Sequence, residues 1–181
     1  MKNLIFLFFF LLFLSCDKDD SPPCYTPSDE LPENDDRTYN LSFLKNGEVW
    51  RPARTSTGAG SAFLAGPTVN INYSTDGTNS GLSMRADLWI EDECNTIQQR
   101  INTIVINPVV GMNNRLSSST RFTDFSQNTS FLIDTSLYQE VFITKLDLDN
   151  YEFEGTFEFN FVTEDKSDTL YITDGRFKGD Q

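Results

Sequence analysis

YEFEGTFEFNFV, residues Tyr151 to Val162, is the stretch whose reading decides the fold. Taken two at a time, Tyr151, Phe153, Gly155, Phe157, Phe159 and Phe161 fall on one side. Glu152, Glu154, Thr156, Glu158, Asn160 and Val162 fall on the other. A period of two is that of a β-strand with one buried and one wet face. A helix would scatter these rings around its circumference.

Working outward, Glu140–Leu146 reads as the preceding strand and Asp168–Lys178 as the following one, with Thr163–Ser167 as the turn between. Placing Phe159 opposite Tyr171 sets Phe153 against Phe177, Phe157 against Thr173, Gly155 against Gly175 and Glu154 against Arg176. A one-residue slip would turn Asp174 into the aromatic face, at a large desolvation cost. On the other side a hairpin closed by Asp147–Asn150 sets Leu146 against Tyr151 and Lys145 against Glu152. The facing glycines suggest a bulge, or a flat spot where a core ring lies close to the backbone.

Nearer the N-terminus, Tyr39–Lys45 alternates, and Asn46-Gly47 before Glu48–Arg51 is a strong hairpin signal because both turn residues tolerate positive φ. Pro52 keeps that second strand short or at an edge. Thr55–Gly66 reads as loop with a short strand near Ala62–Leu64. Thr68–Ser74 and Leu82–Glu91 alternate cleanly; the latter turns Leu82, Met84, Ala86, Leu88 and Ile90 inward and Trp89 outward. Asn102–Asn107, Arg121–Phe125 and Ser130–Asp134 are further strand candidates, in a middle region that is otherwise polar and irregular. Short strands separated by turn signals, with 16 Phe among 181 residues, predict an all-β domain. The expected form is a single antiparallel β-sandwich over residues 38–181, with a closed, lipocalin-like β-barrel as the alternative. About two thirds of the unfolded surface of such a domain can be buried, so it needs no partner to fold, and a monomer is expected.

The first fifteen residues carry one charge, Lys2, and Leu4–Leu14 is an unbroken apolar run. A membrane span needs about 20 such residues, so residues 1–15 read as a signal peptide. The run ends Phe13-Leu14-Ser15-Cys16, which resembles the lipobox of bacterial lipoproteins. The resemblance implies acylation of Cys16, which becomes the new N-terminus. Asp17-Lys18-Asp19-Asp20 resembles the export tag of surface lipoproteins in Bacteroidota-type bacteria. Residues 16–37, with four prolines and many acids, read as an extended tether. KNGEVW early and FEGTFEFNF…LYITDGRF late resemble a family of Bacteroidota-type lipoproteins of unknown function, in which a Trp-bearing hairpin opens the domain and a GTF/TDGRF hairpin closes it. The expected address is the outer membrane, lipid-anchored, on the cell surface.

With Cys16 acylated, Cys24 and Cys94 remain, and an oxidising compartment favours their pairing. Such a bridge would stabilise by roughly 4 kcal/mol in the chain-entropy model. The net charge of −13 disfavours nucleic acid. There is no His, which removes the commonest general base and transition-metal ligand. No phosphate-cradling loop, zinc spacing or Ser-His-Asp set is spelled, and no cofactor is expected. Three further possibilities stand on residue type. Glu152, Glu154 and Glu158 share a face, and neighbours two apart on a strand lie about 7 Å from each other, a spacing compatible with glycoside hydrolysis. Asp147, Asp149 and Asn150, or Asp165 and Asp168, offer oxygen ligands for Ca²⁺. Trp50 and Trp89 have faces on which sugars can stack; Trp50 reads as core, and Trp89, on the outer face, is either a candidate ligand contact or a residue covered by a second layer. The sequence therefore predicts a non-catalytic binding or structural module, with a glycan-binding or glycan-cleaving module as the alternative.

Overall fold

The computed structural model describes residues 40–56, 69–91, 96–112 and 114–180. Twelve strands are found: β1 (Asn40–Lys45), β2 (Glu48–Trp50), β3 (Ala53–Ser56), β4 (Val69–Thr75), β5 (Ser80–Glu91), β6 (Thr96–Ile106), β7 (Arg115–Leu116), β8 (Arg121–Asp124), β9 (Thr129–Ile133), β10 (Gln139–Asp147), β11 (Glu152–Thr163) and β12 (Thr169–Asp180). No helix occurs among the described residues. The hydrogen-bonded path runs β2-β1-β12-β11-β9-β8-β6-β5-β3, with β10 on β11, β4 on β5 and β7 on β6. The path has two free ends, so the sheet is not closed into a barrel. Its all-β architecture is consistent with the expected sandwich. All pairings are antiparallel except β3 on β5. That strand was not anticipated; it arises because Arg51-Pro52 ends β2 and carries the chain to the other sheet half.

β11 joins the halves. Its first part pairs with β10 from Glu152 to Phe159, and its last residues, Phe161 to Thr163, pair with β9. The buried row Phe153, Gly155, Phe157, Phe159, Phe161 matches the alternation read from sequence. Tyr151 departs from it and is 51 % exposed. Asp147 is the cause. One of its carboxylate oxygens accepts the backbone N–H groups of Asp149 and Asn150 at 3.1 and 3.0 Å. This moves the turn onto Leu148–Tyr151, with Tyr151 at φ 55°. Leu146 then faces Phe153 and Lys145 faces Glu154, not Tyr151 and Glu152. The Lys145 ammonium still reaches the Glu152 carboxylate diagonally.

The β11–β12 register also differs from the expected one. Gly155 faces Phe177 and Phe157 faces Gly175, while Glu154 faces Lys178. Each ring lies over the glycine across from it. A Cβ on Gly155 would meet two Phe177 ring carbons at 2.6 and 2.7 Å, and one on Gly175 would meet the Phe157 carbonyl oxygen at 2.5 Å and the Phe157 ring. The suggestion of a ring lying close to the backbone is therefore right, although the glycines face aromatics and not each other. Beyond Phe157 the register shifts by one. Thr173 and Asp174 are both exposed, and Asp174 at φ 51° absorbs the extra residue. Leu170 and Ile172 point inward in place of Tyr171 and Thr173, and Asp174 stays in water.

Asn46 and Gly47, at φ 52° and 85°, form the anticipated hairpin turn. It sets Phe43 opposite Trp50 with ring centroids 4.6 Å apart. From there an aromatic chain crosses the core: Phe43 to Phe157 at 6.0 Å, Trp50 to Phe122 at 6.2 Å, and Phe122 to Phe131 at 6.4 Å. Ile71 of β4 packs on Gly179 of β12. Thr96–Ile106, where the sequence suggested a strand only over Asn102–Asn107, is one long strand paired with β5 from Gly81 to Glu91. Its inward positions Ile101 and Val105 are buried. The short strand anticipated at Ala62–Leu64 lies outside the described residues.

Gly155→Ala and Gly175→Ala should each destabilise the domain by about 1–3 kcal/mol or more, the usual cost of overpacking. Gly81→Ala, whose added Cβ would meet only ordinary contacts at 3.8–4.0 Å, should change stability little. Urea denaturation of the three variants checks the contrast.

Candidate binding face

The two sheet halves differ in charge. Residues 133–181 carry four Lys or Arg against twelve Asp or Glu, whereas residues 69–132 carry four Arg against six Asp or Glu. The strand faces follow this division.

On the outer face of β10–β12, Glu152 and Glu154 have basic neighbours: Lys145 binds Glu152, and Lys145 and Lys178 flank Glu154 in register. The hydrogen bond to Glu152 raises the Lys145 ammonium above its ordinary pKa. Glu158 differs. It faces Glu140 directly across β10 and β11, and both line a shallow cavity of about 230 Å³ with Thr156, Asp174 and Arg176. Tyr138 donates to Glu140 at 2.7 Å, and this bond raises the phenol pKa. Glu158 therefore keeps the face expected for the three glutamates and adds a carboxylate neighbour from another strand.

The acidic turns use their oxygens internally. Asp147 holds its own turn, and its second oxygen accepts the Asn150 amide at 2.8 Å. Asp165 accepts the Thr163 hydroxyl at 2.7 Å, the Ser167 hydroxyl at 2.8 Å and the Ser167 N–H at 3.1 Å. These bonds, the Thr163 hydroxyl first, lower its pKa to about 2. Asp134 is likewise lowered to about 2, by Ser136 first and then Lys166. Among the described residues no three His, Cys, Asp or Glu side chains are grouped to hold a metal ion.

Trp50 is core, 2 % exposed, and belongs to a polar cluster between the layers that the sequence did not reveal. Its Nε1 donates to Gln99 Oε1 at 2.9 Å, and Gln99 Nε2 donates to the buried Asp124 at 2.7 Å. Lys45 reaches the same Gln99 oxygen at 3.4 Å and lies 5.7 Å from the Phe122 ring centroid. Burial lowers its pKa, against the opposing pull of Asp124. The cluster ties β1, β2, β6 and β8 together, a structural role.

Trp89 is on the outer face of β5, as expected, and half-buried. Across β6 it faces Gln98, and one step along Asp87 faces Arg100. Arg100 Nε donates to Asp87 at 2.6 Å, and the guanidinium lies 5.4 Å from the Phe125 ring centroid. Arg85 also contacts Asp87, at 3.4 Å. The next transverse row is Asn70, Arg85, Asn102, Arg121 and Leu132, carried on β4, β5, β6, β8 and β9. The indole Nε1 of Trp89 is buried with no hydrogen-bond partner. Sequence alternation identified the outward side of β5; which strands would flank it depends on pairings between distant segments.

Cys16, Cys24 and Cys94 lie outside the described residues. Comparisons of the chain with protein-family models, curated proteins and solved structures return no match.

Gln99→Leu leaves the Trp50 N–H and Asp124 without their buried partner and should cost about 2–4 kcal/mol by urea denaturation, since each orphaned group carries a desolvation penalty. For Asp134 and Asp165, carboxyl NMR shifts should titrate near pH 2. Because both folded pKa values lie below the ordinary aspartate value of 3.8, their contribution to stability is present above about pH 4 and is lost as pH falls toward 2.

Proposed function

We propose that this chain is a lipid-anchored, surface-exposed outer-membrane lipoprotein whose β-domain is a non-catalytic binding or structural module. The observation that carries the reading is the order of segments: a short apolar run ending Leu14-Ser15-Cys16, an acidic, proline-rich stretch, and a β-domain whose first described strand is Asn40–Lys45. Two or more acyl chains at Cys16 make anchoring stable, and the tether holds the acidic domain away from the bilayer. The domain supports binding over chemistry through the state of its charged groups. Glu152 is ion-paired with Lys145, Glu154 stands in register between Lys145 and Lys178, Asp147 and Asp165 are engaged in their turns, and the buried Asp124 is held by Gln99. The partner is the membrane through Cys16, with a ligand on the domain itself.

A second reading, a glycan-cleaving module, has one observation in its favour. Glu158 and Glu140 face each other across two strands and line the same cavity with Arg176. Turnover of polysaccharide substrates that disappears in Glu158→Gln would favour it over the first.

The anchor is tested by metabolic labelling with a palmitate analogue. Label should enter the wild-type protein and be absent from Cys16→Ser, which should also leave the membrane fraction. Label persisting in Cys16→Ser would overturn the reading.

A further inference from the structure

We infer that the outer face of β5, β6 and β8 binds an anionic polysaccharide; the inference rests on the reading of the domain as a binding module. Its central rows hold three arginines, Arg85, Arg100 and Arg121, against one carboxylate, Asp87. This is the reverse of the balance in a chain of net charge −13. Arg85 and Arg121 are exposed, and both flank Asn102 in one row, two strand spacings or about 10 Å apart. Arg100 is held by Asp87 beneath the rim of Phe125, a positioned cation that keeps donors for an incoming carboxylate or sulfate.

The other side chains on the face suit sugar more than lipid or nucleic acid. Gln98, Asn102, Asn70 and Thr123 supply amide and hydroxyl groups between the arginines. Trp89 and Phe125, at one end, offer a half-buried indole and a ring 46 % exposed. A sheet face with aromatic side chains at one end and arginines on neighbouring strands suits an extended chain of acidic sugars. Rings stack on the aromatics, hydroxyls meet the amides, and arginines take the acid groups as paired hydrogen bonds. The acidic remainder of the chain repels a dense phosphate backbone. A membrane surface would call for a broader apolar patch than Trp89, Phe125 and Leu132 make among the arginines and amides.

The test is retention of the full-length protein in detergent on immobilised alginate, a polyuronate, with dextran sulfate, neutral dextran, double-stranded DNA and phosphatidylglycerol vesicles in parallel. Retention on alginate or dextran sulfate should exceed that on neutral dextran and fall as salt rises. Arg85→Ala, Arg121→Ala and Trp89→Ala should each weaken it about tenfold or more, while Lys145→Ala and Lys178→Ala, on the opposite half, should leave it unchanged. Circular dichroism of each variant excludes loss of fold as the cause. Absence of retention on both acidic polymers, retention insensitive to the arginine substitutions, or preferential binding to DNA or vesicles would overturn the proposal. Palmitate labelling of Cys16 is independent of all these outcomes, so an anchored protein that ignores acidic glycans removes this inference and leaves the anchor standing.

Discussion

The fit of two phenylalanine rings onto two glycines is the constraint on which the rest of the structure depends. Phe177 lies over Gly155 and Phe157 over Gly175, in crossed pairs on adjacent strands. Neither site has room for a methyl group. The absence of side chains there lets the rings lie against the backbone, where Phe157 can meet Phe43 from β1 and, through it, Trp50 from β2. Trp50 in turn touches Phe122 of the opposite half. The contact between layers therefore begins with the space those two glycines leave. A strand interior normally loses stability at glycine; here the overlying ring recovers it by burying its own apolar surface.

The same pairing explains why β12 changes parity. Its first part presents Leu170 and Ile172 to the core and its last part Gly175, Phe177 and Gly179. An unbroken strand would present either even or odd positions throughout. A bulge at Thr173–Asp174 allows both, and aspartate tolerates the left-handed backbone that the bulge needs. The by-product is a dent on the outer surface, where Asp174 and Gly175 join Glu140, Glu158 and Arg176 around the shallow cavity. Packing inside thus shapes the surface outside.

Charge is distributed by sheet half. The C-terminal half keeps its carboxylates in turns and along strands flanked by lysines, whereas the half built on β5 and β6 gathers arginine, amide and aromatic groups on one exposed face. Each feature is ordinary in isolation. An acidic protein that keeps a locally basic face keeps its general solubility and concentrates attraction for anions on one surface.

Strand identity was written in the residues wherever one face is apolar and the other polar. The core face of β11, the inward row of β5, the Asn46-Gly47 hairpin, the buried Trp50 and the outward Trp89 all follow from alternation and turn chemistry, which act over a few residues. Register and strand order did not follow. Local pattern fixes which face of a strand is buried, but a shift of two residues preserves that face, so the true pairing of Gly155 with Phe177 could not be separated from Gly155 with Gly175 by polarity. Ring volume decided it, and volume is judged only when both strands are in place. Likewise Asp147 moved a turn by hydrogen bonding, Gln99 found Trp50 and Asp124 across the core, and Arg85, Asn102 and Arg121 became neighbours only because three strands from separate parts of the chain pair side by side. The sequence by itself determined the class of fold and the buried side of strands with unbroken alternation, such as β5 and β11, because those are nearest-neighbour properties; the first part of β12, beyond its bulge, took the opposite side from the one expected. The tertiary structure decided which strands pair and which side chains share the outer face of β5, β6 and β8, because those depend on space shared between distant segments.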